Sequence, residues 1–483
     1  MLLGSILQVQ LVVGIDLGTQ SVKAVVCDAA MRVVGAHGVA LATHHPQPGW
    51  AEQDPRAWET ALELAVAGAL AGQDAREVVA IAITGQLDGC VAVDDSCEPV
   101  FPALIWQDRR ATAHVIDLPL ELTGQVADAS HMAPKLAWLR ERVHAARYHQ
   151  PVSYLVARLT GAHVLDPAHA STTMLCELAT GTWSGEALRA YAIDPGQLPA
   201  IAPATTIAGV LRAPLAGIAA GTPVAVGTGD DFATPLGAGL VSPGPLAVTL
   251  GTAEVVGALS AAIVLDRPAN RSPRDPWRSE PSPMVETHAY PTGAFFIENP
   301  GWLSGGAVRW ATRLLGLQSD AELDALAAQA PPGADGVTFV PALAGAMTPV
   351  WRAEARAALD GLTAAHDRPH VARAVLEGLA FACRDVATRL GSLGLPLPHV
   401  LVLGGGTQSA LWLQIRADAL GLPHHVAART DTSAIGAAMI AAVAGGLHRD
   451  LAVACALAPP PRAVVQPRGS LDEAYERYRG RGG

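Results

Sequence analysis

Positive charge is scarce in this chain of 483 residues. Thirty-three Lys and Arg stand against 44 Asp and Glu, a formal net charge of −11, and no basic run is long enough to neutralise a line of phosphates. That excludes a nucleic-acid partner. Aromatic residues make up 5% and charged residues 16%, while half the chain is hydrophobic, so Ala, Val, Leu and Gly carry the apolar content. A disordered or coiled-coil chain is excluded. Long hydrophobic runs are missing too. The longest uncharged stretch, Phe232 to Ala253, is broken by Pro235, Pro243, Pro245 and four glycines, and Ala434 to Leu447 falls short of the roughly 20 residues a membrane span needs. The six cysteines (Cys27, Cys90, Cys97, Cys176, Cys383 and Cys455) lie far apart and form no CxxC pair. They read as buried thiols in a reducing compartment, not as a metal or disulfide set. No basic n-region precedes the first apolar run, so the expected location is cytoplasmic.

What is present is punctuated by glycine. Val12 to Asp28 contains two apolar runs around Gly18-Thr19-Gln20-Ser21 and reads as a β-hairpin. Leu246 to Gly257 repeats the pattern of strand, Leu-Gly-Thr and strand, with Thr252 placed 233 residues after Thr19. A repeat at nearly half the chain length predicts two similar domains, each offering one hairpin to a shared cleft. Apolar runs at Val78 to Thr84, Pro223 to Gly227, Val337 to Val340 and Val400 to Leu403 predict strands. Ala-rich periodic segments at Ala57 to Leu70, Pro134 to Ala146, His370 to Leu390 and Ala410 to Leu420 predict helices. The alternation predicts an α/β fold with mixed sheets. The Ser242-Pro243-Gly244-Pro245 break divides residues 1–242 from 243–457, with 458–483 a partly helical surface tail and Asp266 to Pro283 an exposed loop.

Four segments carry chemistry. Gly18-Thr19 and Gly251-Thr252 are turns that can aim backbone N–H groups and a hydroxyl at a polyphosphate, or serve as ordinary hairpin turns. Asp16 can hold Mg²⁺ through water or cap its turn. Gly404-Gly405-Gly406, between a strand and a helix that opens near Ser409, admits a flat ring or phosphate where a Cβ would collide. It lacks GxGxxG spacing, which disfavours a dinucleotide fold. Gly229-Asp230-Asp231 places adjacent carboxylates after a strand, either a proton acceptor with a substrate-binding neighbour or a helix N-cap.

Taken together, Gly14-Ile15-Asp16-Leu17-Gly18-Thr19, Gly49 to Pro55 with Trp58, Thr84-Gly85-Gln86, Trp106 to Arg110 and Ala133 to Trp138 resemble the FGGY family of carbohydrate kinases, xylulokinase branch. The C-terminal signature adds Ala357, Leu359, Gly361, Leu362, His370, Val371, Ala374, Val375, Leu376 and Glu377. The resemblance implies two actin-like (ribonuclease H-like) ATPase domains facing a central cleft. It also implies ATP and Mg²⁺, and transfer of the γ-phosphate to a terminal hydroxyl of a small sugar, expected to be a pentulose such as D-xylulose. A pentitol, tetritol or other polyol is the alternative substrate, and a non-catalytic sugar or nucleotide sensor the alternative class. Asp230 matches the catalytic base and Asp16 the acidic residue near the metal. Thr19, Gly251, Thr252, Gly305, Arg309, Gly405, Gly406 and Ser409 fall to ATP; Gln86, Leu87, Asp88, Trp106, Asp108 and Asp231 fall to the acceptor. No membrane or nucleic-acid partner is implied, and a homodimer is allowed.

The chain departs from the branch in its acceptor segments. Asp88 stands where the branch has His, Asp231 where it has Asn, and Leu343 to Pro349 lacks the usual Gly-Glu-Arg. Met132 and Arg142 also depart from the N-terminal signature. Carboxylates only accept hydrogen bonds, whereas His and Asn can donate to a ketone oxygen. The exchanges therefore turn the expectation toward polyhydroxyl ligands.

Overall fold

The first two apolar runs pair over their whole length. β1 (Leu11–Leu17) and β2 (Ser21–Asp28) run antiparallel from Leu11↔Asp28 to Leu17↔Val22, and β3 (Val33–Ala40) extends the meander. In the computed structural model, which describes residues 10–267, 283–352 and 354–480, helix α1 (Pro55–Ala69) is capped by Asp54, whose side chain accepts the Arg56 N–H. β4 (Val78–Gly85) then lies parallel to β1. A small ladder of β5 (Val91–Val93) and β6 (Arg147–His149) flanks helix α2 (Met132–Arg140) in the chain. Helix α3 (Pro151–Thr160) leads on to β7 (Ile207–Val210), β8 (Pro223–Ala225) and β9 (Thr228–Gly229). The sheet order is β7-β8-β4-β1-β2-β3, with β9 also on β4. Helix α4 (Asp230–Gly237) starts where β9 ends.

The second sheet repeats this plan. β10 (Leu246–Leu250) and β11 (Ala253–Ser260) form a hairpin, followed by β12 (Glu286–Ala289) and β13 (Phe295–Leu303). After helices α5 (Gly305–Leu314) and α6 (Arg368–Ser392) come β14 (Val400–Leu403), α7 (Ala410–Leu420) and β15 (His424–Val426). Helix α8 (Thr432–Ala444) and β16 (Ala463–Val465) follow, and the order is β12-β13-β11-β10-β14-β15-β16. Each sheet thus joins an antiparallel meander to parallel strands, the mixed α/β pattern that the alternation predicts.

The chain forms two compact units: Met1–Val241 with His288–Ala294 and Asp431–Ala458, and Ser242–Thr287 with Phe295–Thr430 and Pro459–Gly483. The division is therefore not contiguous along the sequence, because α8 returns to the first unit. Its Ala and Gly surface is what lets it do so. A Cβ on Gly14 of β1 would strike the backbone of Ala434 and Ala438, and one on Gly436 would strike the Ala233 backbone of α4. Close helix–strand approach of this kind holds β1 and α4 against one buried helix.

Two surface expectations are corrected. The C-terminal segment carries a helix, Asp472–Arg479, whose Tyr475 and Tyr478 are buried, and the Tyr475 O–H donates to Asp385 at 2.8 Å. Aromatic area outweighs the charged residues around it, so the helix joins the second unit's core. Asp266, at the start of the predicted loop, is also buried; it accepts from the Met284 N–H at 2.6 Å and from Arg389 at 3.2 Å. The rest of that loop, 268–282, lies outside the described residues. All six cysteines are buried and unbridged. No helix among the described residues is long and apolar enough to cross a membrane.

Candidate active site

Three parallel strands of the first unit end side by side. Asp16 of β1 registers with Thr84 of β4, and Thr228-Gly229 of β9 register with Thr84-Gly85. The loop Gln86-Leu87-Asp88 and the first turn of α4, with Asp230 and Asp231, therefore emerge next to Asp16. Ligand sites of parallel α/β sheets lie at such carboxyl ends.

Burial dominates the electrostatics there. It pushes the Asp16 carboxyl above its ordinary range, against the pull of Lys23 and of the Ser433 O–H, which donates to Asp16 Oδ1 at 3.1 Å. Burial also holds Asp230 well above the ordinary range, and the charges of Asp231 and Asp16 add to it. Asp231 is raised by burial and then by Asp88, with His288 opposing. Three further carboxylates thus act on or beside Asp230. Like charges that share a dry site favour proton uptake, the kind of tuning found at proton-accepting carboxylates.

Asp88 sits on a strained turn with φ +60°. Its N–H donates to Gln150 Oε1 at 2.9 Å, its carbonyl accepts from Lys135 Nζ at 2.9 Å, and His131 Nδ1 lies 3.4 Å from Oδ1. Lys135 is wholly buried, which lowers its ammonium to about 8 despite nearby Asp88 and Asp108. Leu87 is buried and packs where a Cβ on Gly229 would collide with it. Gln86 donates its amide to Gln53 Oε1 at 2.9 Å, and its own Oε1 has no partner. Gln53 in turn donates to the Thr19 carbonyl at 2.7 Å, and the Trp106 indole N–H donates to Thr19 Oγ1 at 2.9 Å. Thr19, Gln86 and Trp106 thus belong to one hydrogen-bonded frame. Asp108 stands apart from them. Its oxygens are buried and accept from the Ala51 N–H at 2.6 Å and from the Arg110 guanidinium at 2.7 Å, so it braces the turn around Arg110.

In the second unit the glycines meet at the β10–β11 turn. Gly305 N–H donates to the Gly251 carbonyl at 3.2 Å, Gly306 N–H donates to the Thr252 carbonyl at 3.0 Å, and Arg309 Nη2 donates to Thr252 Oγ1 at 3.1 Å. A Cβ on Gly305 would strike Gly251, and Gly404, at φ +83°, lies against Leu250. Gly405 faces open space, and Ser409 caps α7 through the Trp412 N–H at 3.0 Å. Beneath the turn, wholly buried Glu254 pairs with Arg416 and accepts from Ser304 Oγ at 2.7 Å. The turn, the start of α5 and the glycine loop before α7 lie together, and the open space at Gly405 leaves room there for a phosphate or a flat ring.

A two-unit α/β chain with an acidic site at strand ends and a glycine surface at a hairpin turn has the parts of a phosphotransferase. Family comparison fixes the class. Residues 11–237 match the N-terminal domain, and residues 246–445 the C-terminal domain, of the FGGY family of carbohydrate kinases. The chain belongs to that family, whose members are phosphotransferases acting on sugar or polyol hydroxyls. It is 34% identical to a glycerol kinase of Gloeobacter violaceus, covering 93% of this chain and 91% of that one. It is 31% identical to a xylulose kinase of Klebsiella pneumoniae over 89% of each. Among solved structures, a xyloylose kinase from Brucella ovis superposes with TM-score 0.86 at 29% identity, covering 98% of both chains.

Sequence reasoning did not single out Ser433, Gln150 or His288. Ser433 is 417 residues from Asp16, and no spacing rule connects them. Lys135 was visible within Ala133 to Trp138, but its hold on the Asp88 carbonyl was not.

Proposed function

We propose that this kinase phosphorylates a small polyol, in the size range from glycerol to a pentitol, with Asp230 as the base. The observation that carries the reading is the charge pattern around the acceptor position. Asp88, Asp230 and Asp231 are carboxylates acting on one another, and the free atom of Gln86 is an acceptor. Two of the donors nearby are engaged: the Trp106 N–H on Thr19 and one amide hydrogen of Gln86 on Gln53. Such a site is complementary to a ligand offering several O–H donors, and a ketone oxygen would find fewer partners.

In the proposed reaction Asp230 takes the proton of the attacking hydroxyl as the new O–P bond forms and the bond to the bridging oxygen of ATP breaks, releasing ADP. Asp231 and Asp88 hold neighbouring hydroxyls. Thr19, Gly251, Thr252 and Arg309 would bind phosphates, while Gly305, Gly405, Gly406 and Ser409 would lie on the nucleotide side. Most of the rate then comes from positioning. Asp16 would hold Mg²⁺ through water, and the ion, which takes one or two carboxylates plus phosphate oxygens, would neutralise phosphate charge.

A second reading is D-xylulose, giving xylulose 5-phosphate. The identity to xylulose kinases favours it, while that to glycerol kinases favours the polyol. ADP release with MgATP across glycerol, tetritols, pentitols and D-xylulose decides: the highest kcat/KM should fall on a polyol. A maximum on D-xylulose overturns the polyol reading, and no turnover with any of them overturns both.

A further inference from the structure

Outside the carboxylate site, the first unit brings together three side chains that the kinase reaction does not use. Cys97, His149 and His163 place one ligand atom each within 4.8 Å of one another. Their positions are built by separate elements. Cys97 lies in the turn after β5, at φ +64°, with its N–H bonded to the Asp94 carbonyl at 3.0 Å. His149 ends β6, in register with Val91 of β5. His163 follows the left-handed cap of α3 at Gly161. We infer that Cys97, His149 and His163 form a binding site for a borderline divalent cation such as Zn²⁺, with a water in the fourth position.

The donor set suits such an ion, because thiolate and imidazole prefer it to Mg²⁺ or Ca²⁺. The hydrogen bonds also orient the ligands. Ser153 Oγ donates to the Gln150 carbonyl at 3.0 Å, so toward His149 Nδ1, 3.0 Å away, it must accept. His149 therefore carries its proton on Nδ1 and turns the Nε2 lone pair toward His163 Nδ1, 3.1 Å away. A histidine ligand whose other nitrogen donates to a fixed acceptor is the arrangement found at metal centres. One proton lies between the two ring nitrogens. On binding, it would shift to His163 Nε2, the Cys97 thiol would lose its proton to solvent, and the ion would take all three lone pairs. Glu98, next to Cys97, is not a fourth ligand: its carboxylate pairs with Arg158 at 2.6 Å and Arg56 at 3.2 Å.

The test is a titration of the untagged full-length protein, stripped with chelator, first with Co²⁺ and then with Zn²⁺. One Co²⁺ per chain should bind with a near-ultraviolet thiolate charge-transfer band, and one equivalent of Zn²⁺ should discharge it. Cys97→Ser should abolish the band, and Ser153→Ala should weaken binding about 10 to 100-fold. Zn²⁺ should raise the melting temperature of the wild type and not of Cys97→Ser. Binding without the band, which the carboxylate cluster alone would produce, overturns the inference, as does no binding. If Cys97→Ser does not fold, His163→Ala, at a half-buried position, decides: a band of unchanged strength there overturns the site.

Discussion

At Asp230, removing the base should cost chemistry and spare the nucleotide. Asp230→Asn is expected to lower kcat by about 10² to 10⁴-fold with the ATP dissociation constant within about twofold, read by steady-state kinetics and calorimetry. A variant that keeps a tenth of wild-type kcat would remove Asp230 from that role. Asp88 carries the specificity claim. Its strained turn is fixed at the backbone by Gln150 and Lys135, and His131 lies beside the carboxylate. Loss of a charged hydrogen bond is worth about 1.5 to 3 kcal/mol, roughly 10 to 150-fold, and Asp88→Ala should raise the acceptor KM by that factor. Asp88→His should move preference toward D-xylulose. An unchanged substrate ranking in both variants would leave Asp88 with a purely structural role.

Among the elements, α8 and the start of α5 work through missing side chains. Gly436→Ala pushes a methyl into the Ala233 backbone of α4, and overpacking of this kind costs about 1 to 3 kcal/mol. The urea midpoint should fall accordingly, and kcat should fall with it because α4 carries Asp230. In α5, Gly305→Ala meets the Gly251 carbonyl and displaces the β10–β11 turn. It should raise the KM for ATP several-fold and leave the acceptor KM near wild type; the opposite split would place the turn outside the nucleotide site.

For the whole molecule, the buried carboxylates set the pH response. Asp230 and Asp231 are both raised, by burial first and mutual or neighbouring charge second. Between the unfolded value near 4 and the folded values, the native state binds more protons than the unfolded chain, so stability falls as pH rises through that window. The base must be ionised to act, so kcat/KM for the acceptor should rise over the same window. Asp231→Asn removes a charge beside Asp230. It should flatten the fall in melting temperature between about pH 5 and 8, and move the acidic limb of the rate profile to lower pH without returning it to 4, since burial is the larger cause. A melting temperature whose pH dependence is unchanged in Asp231→Asn would contradict this.

Local pattern by itself determined the hairpins, the parallel strands, the long helices and the segments Gly14 to Thr19, Gly227 to Gly237 and Gly404 to Ser409. These are legible because turn chemistry and apolar periodicity act between near neighbours. Most helix boundaries moved by two residues or fewer, but the helix predicted over Pro134 to Ala146 spans Met132–Arg140 and stops more than a turn early. Tertiary structure alone decided what the segments meet. The parallel register of β1, β4 and β9 puts Asp16, Asp88 and Asp230 at neighbouring strand ends, and α8 returns some 200 residues after α4 to pack against it. The sequence leaves Asp108 open to bind substrate, whereas in the fold Arg110 and the Ala51 N–H occupy its carboxylate. Spacing rules passed over Cys97, His149 and His163 because their neighbourhood comes from strand pairing and the reversal of α3, which no local rule in the chain encodes.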